Sequence, residues 1–63
     1  MTQKELLYLE DAISHEKNII TICEDTVGRV EDENLISFIN KEIQTHNELL
    51  QNLMSMFKEK ANE

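Results

Sequence analysis

The sequence predicts an all-α fold, a two-helix antiparallel hairpin that pairs with a second copy of itself into a four-helix bundle. Three observations carry this. There is no proline, and the only glycine, Gly28, lies near the middle of 63 residues, so one turn joins two long segments. Apolar residues recur at helical spacing on both sides of that turn, and no alternating strand pattern competes with them. Helix-start signatures stand at the head of each segment.

The first helix is expected over about residues 3 to 27. Thr2-Gln3-Lys4-Glu5 fits a capping box in which Thr2 is the N-cap and Glu5 reaches back to it. Gly28 is expected to end the helix in the left-handed conformation that other residues adopt only at a cost. Residues 28–32 form the turn. Asp32 is the N-cap of the second helix, expected over about residues 33 to 60, because a carboxylate there meets unsatisfied N–H groups and the positive helix end. Lys58 and Lys60 complement the opposite pole. The whole chain, 1–63, is one helical hairpin.

Composition narrows the partners. A net charge of -7, from 13 acidic and 6 basic residues, repels phosphate backbones and anionic lipid surfaces, so neither nucleic acid nor membrane is expected. No run approaches the roughly 20 apolar residues of a membrane span, and no signal-peptide pattern opens the chain. With one cysteine there is no internal disulfide, and a lone thiol suits a reducing, cytoplasmic setting. A fold this short buries only roughly 60% of its unfolded surface. Oligomerisation or a metal is expected to supply the missing stability.

The seam of helix 1 reads Leu6, Ile13, Ile20, Val27 at one position and Leu9, Glu16, Cys23, Val30 at the other. Helix 2 repeats clusters: Leu35, Ile36, Ile39; Glu42, Ile43, His46; Leu49, Leu50, Leu53; Met56, Phe57. Glu16, Glu42 and His46 are the interruptions. In an antiparallel hairpin turning near residue 30, facing residues have numbers summing to about 60 to 62. That sets Leu9 opposite Leu53, Ile13 opposite Leu49, Cys23 opposite Ile39 and Glu16 opposite His46. Glu42 lies one turn from His46 on the same face. All three interruptions therefore share one height, and a two-fold axis doubles them to four Glu and two His. That inventory matches a carboxylate–imidazole metal site projecting into a bundle.

The arrangement, one Glu on the first helix and a Glu and a His on the second, resembles half of a ferritin-like di-iron protein and is similar in plan to short two-helix encapsulated ferritins. Ile13-Ser14-His15-Glu16-Lys17-Asn18 and Glu42-Ile43-Gln44-Thr45-His46 also resemble the spore coat protein F family, itself ferritin-like. The resemblance implies a ferritin-like metal site completed by homodimerisation, with Glu16, Glu42 and His46 as metal ligands and iron as the metal, manganese and zinc being the other candidates. One departure stands out. The ferritin pattern is Glu-x-x-His, whereas Glu42 and His46 are separated by three residues. The competing expectation is a structural or protein-interaction module, coat-like, in which the polar layer only specifies helix pairing. Whether the protein is an enzyme is left open.

The remaining features read simply. His15 points to a different face from Glu16 and is expected in solvent. Cys23 is a small core residue, with nothing basic near it to make a nucleophile. Met54, Met56 and Phe57 are interface packing near one end. Tyr8, off the main stripe, is assigned to the dimer interface or, by analogy with ferritin-like sites, to the metal. The turn acids Glu24, Asp25, Glu31, Asp32 and Glu33 read as a solvated capping region. No Ser/His/Asp arrangement, phosphate loop or zinc-type cysteine pair occurs.

Overall fold

The computed structural model describes residues 1–62, leaving Glu63 outside the described residues. It is an all-helical hairpin of α1 (Gln3–Val27) and α2 (Glu33–Ala61). The capping box is complete: Glu5 N–H donates to the Thr2 hydroxyl at 3.1 Å and Thr2 N–H donates to Glu5 Oε1 at 2.9 Å. Bonding to the Thr2 backbone and side chain holds the Glu5 carboxyl below its ordinary pKa. At α2, Leu35 N–H donates to Asp32 Oδ1 at 2.9 Å, so Asp32 is the N-cap. Lys58 and Lys60 lie in the last turn, and Asn62 closes it by donating from its side chain to the Lys58 carbonyl at 2.8 Å.

Gly28 corrects one expectation. It sits at φ -76°, ψ -11°, in the right-handed region, and no described residue has positive φ. The chain leaves α1 through a turn in which Arg29 N–H donates to the Thr26 carbonyl at 3.0 Å. It then reaches Asp32 at φ -67°, ψ 120°. The chain reverses with no described residue in the left-handed region. A Cβ on Gly28 would meet only the Asp25 and Glu24 carbonyl oxygens, at 3.6 and 3.8 Å, ordinary contact distances. Gly28→Ala is therefore expected to stabilise the protein by about 0.4–1 kcal/mol, through loss of unfolded-state freedom. Loss of stability in a urea melt would show instead that the glycine is needed.

The two helices pack along their length in a rod with Cα extents of 47 × 14 × 11 Å. Its core is thin: among the described residues only Ile20, Ile39 and Leu50 are buried, flanked by half-buried residues such as Leu9, Ile13, Cys23, Ile43, Leu53 and Phe57. Leu50, 9% exposed, is the inward residue of its cluster, while Leu49, expected opposite Ile13, is 41% exposed. At 100° per residue, neighbours in one apolar cluster cannot both face the same helix. Leu35, Tyr8, Met54 and Met56 are likewise exposed. The accessible surface is 4973 Å², roughly 750 Å² above the ~4,200 Å² expected for a compact monomer of this mass. No described helix is long and apolar enough to cross a membrane.

Candidate metal centre

The polar layer forms halfway along the rod, where α1 and α2 each leave a gap in their apolar seams. Glu16 is carried inward by the phase of Leu9, Ile20 and Cys23 on α1, and its side chain is only 12% exposed. His46 follows Ile39 by seven residues, and so takes the same inward side of α2. The two meet: His46 Nδ1 lies 2.5 Å from Glu16 Oε2, a short part-buried bond between residues 30 apart in the chain. With the carboxylate oxygen accepting, Nδ1 is the donor, and in a neutral imidazole Nε2 keeps its lone pair.

Nε2 faces the other carboxylate. Glu42 Oε2 stands 3.6 Å away, and its side chain, 43% exposed, lies at the open edge of the layer. That distance is too long for a direct hydrogen bond. Two donors bound to one cation at about 2.1 Å and tetrahedral or octahedral angles stand roughly 3 to 3.5 Å apart, close to the Nε2–Oε2 separation. Glu16 with His46 and Glu42 is also the arrangement in which a ligating imidazole donates its second N–H to a carboxylate.

Within one hairpin the set is incomplete. Among the described residues no group of three or more His, Cys, Asp or Glu is placed to hold a metal ion. The two ring nitrogens of His46 point apart, so Glu16 and Glu42 address opposite edges of one imidazole and do not converge on a point. Along this row exposure rises from the Glu16 side chain at 12% through His46 at 24% to Glu42 at 43%.

Other singled-out residues stand clear of the layer. His15 is exposed, Cys23 half-buried, and the Lys4 ammonium lies 5.9 Å from the centre of the exposed Tyr8 ring. Among the turn acids, Asp25 pairs with Arg29 at 3.3 Å, both largely in solvent. Sequence reading passed over Phe38, which is 60% exposed. Its signal was its place three residues after Leu35 and four before Glu42, on the flank of α2 rather than on the seam. Comparison of the chain with protein-family models, with curated proteins and with solved structures gives no match in any of the three.

Proposed function

We propose that this chain is a metal-binding helical hairpin, ferritin-like in plan, whose site is completed when two copies associate. The observation that carries the reading is the Glu42–His46 pair: Oε2 and Nε2 are 3.6 Å apart, on the side of the imidazole away from Glu16, with the Glu42 side chain 43% exposed. Glu42 and His46 supply the donors, and Glu16 holds the imidazole in the tautomer that presents Nε2. Two copies provide two carboxylates and two imidazoles, a mixed O/N set suited to borderline divalent cations. Iron is favoured by the ferritin-like resemblance, and manganese and zinc fit the same donors. The bound cation would supply positive charge to a layer rich in carboxylates.

A second reading draws on the Glu16–His46 bond itself. Because that pair satisfies its inward hydrogen bond without any ion, the layer can act only to fix helix register and the choice of partner, as a coat-like interaction module would require.

Metal content separates the two. Protein purified without chelator or affinity tag is expected to carry a stoichiometric transition metal, read by inductively coupled plasma mass spectrometry. The metal should be lost in Glu42→Leu and in His46→Leu. Metal-free parent that takes up no iron(II), manganese or zinc on equilibrium dialysis would leave the pairing reading in its place.

A further inference from the structure

We infer that α2 carries a self-recognition surface, the stripe Leu35, Phe38, Glu42, Leu49 and Met56, and that it docks antiparallel onto the same stripe of a second copy. Leu35, Glu42, Leu49 and Met56 recur at strict seven-residue spacing, and Phe38 follows Leu35 by three. They share one flank of α2, turned away from the buried Ile39 and Leu50 by helical phase. The four apolar members are all exposed large hydrophobic residues. On α1, the exposed Tyr8 and Ile22 fall on the same flank of the hairpin.

Three observations select a second copy in antiparallel orientation as the occupant. First, the chain exposes roughly 750 Å² more than a compact monomer of its mass, an excess that comes from its elongated shape and that side-by-side pairing of two rods reduces. Second, the stripe is self-complementary in one register. Pairing residues whose numbers sum to about 91 sets Leu35 against Met56 of the second copy. In that register Glu42 meets Leu49 and lies about 4.5 Å along the axis from the second copy's His46, so the two half-sites close on each other near the two-fold axis. Third, the charges are polar along the rod. Residues 24–33 hold five carboxylates and one cation, Arg29, whereas the other end mixes Lys4, Lys58 and Lys60 with Glu5 and Glu59. A two-fold axis perpendicular to the helices lays each acidic turn beside this mixed end, with Glu33 level with Lys58 and Asp32 level with Glu59. An axis along the helices would bring ten carboxylates together at one end. The perpendicular axis also opposes the α2 dipoles.

This inference rests on the self-association in the proposed function and not on the metal. The test is disulfide crosslinking of metal-free protein in a Cys23→Ser background, alongside sedimentation. Leu35→Cys/Met56→Cys is expected to form a covalent dimer. Each single variant should not, because identical positions at the ends of the stripe would lie about 32 Å apart. As a check independent of crosslinking, Glu33→Lys should weaken the dimer several-fold, and adding Lys58→Glu should restore it. A dimer by sedimentation that crosslinks through neither pair member, or through the single variants, overturns the antiparallel surface while leaving self-association intact. Failure of Lys58→Glu to rescue Glu33→Lys also overturns it. A monomer at micromolar concentration removes the composite metal site as well. Metal uptake by the parent is then a separate result, so loss of the metal reading alone leaves this surface standing.

Discussion

Replacing Leu50 with Ala is expected to leave the dilute protein largely unfolded at room temperature, read as loss of the helical signal in far-ultraviolet circular dichroism. Leu50 is one of three buried side chains among the described residues, and truncating a buried leucine costs about 2–5 kcal/mol through lost transfer energy and the cavity left behind. A core this small rarely supplies more than about 3–5 kcal/mol in total, so the loss approaches the whole stability. Leu49→Ala is the matched comparison, since that side chain is 41% exposed in the hairpin. Its cost should be smaller and should fall on association, appearing as a melting temperature that depends more steeply on protein concentration. If Leu49→Ala loses more helix than Leu50→Ala at every concentration, the assignment of the inward side chain is wrong.

The second large effect is metal-dependent stability. A cation that binds the folded pair and not the unfolded chain, present a hundredfold above its dissociation constant, should stabilise by about 2.7 kcal/mol. For a folded pair of chains of this size that corresponds to a rise of roughly 10 °C in melting temperature. The variants should then divide in a way set by the geometry. Glu42→Leu should lose the metal response while the metal-free protein becomes as stable or more so, because a partly exposed carboxylate at the dimer stripe gives way to an apolar neighbour of Leu35 and Leu49. His46→Leu should also lose the response, but at a cost of about 1–3 kcal/mol, because the largely buried Glu16 carboxylate loses its partner. Adding Glu16→Leu should recover that loss, and the non-additivity measures the pair. Melts of the parent and these variants with anaerobic iron(II), manganese and zinc check each step. An unshifted parent together with a destabilised Glu42→Leu would make the layer a structural network.

The helix limits and the height of the polar layer were legible in the residues alone, because local chemistry decides them. A threonine with a glutamate three residues on can satisfy the first N–H groups of α1 only by capping it, and Asp32 does the same for α2. Glu16 and His46 were brought level by counting residues from the turn, since each helical residue advances by a fixed rise.

Three matters waited for the tertiary structure. Gly28 is right-handed because the chain passes from α1 to α2 with no positive φ among the described residues, and composition does not reveal which dihedrals a turn uses. Leu50, rather than Leu49, faces α1 because the relative rotation of two packed helices decides which of two apolar neighbours turns inward, and the heptad pattern allows both. The different places of the two glutamates depend on the same rotation: Glu16 closes on His46 Nδ1 inside the hairpin, while Glu42 stands at its open edge beside Nε2. Sequence put three polar residues at one height because spacing along a helix is regular. Only packing could divide them between an inward bond and an outward face, because that division depends on the angle at which one helix meets another.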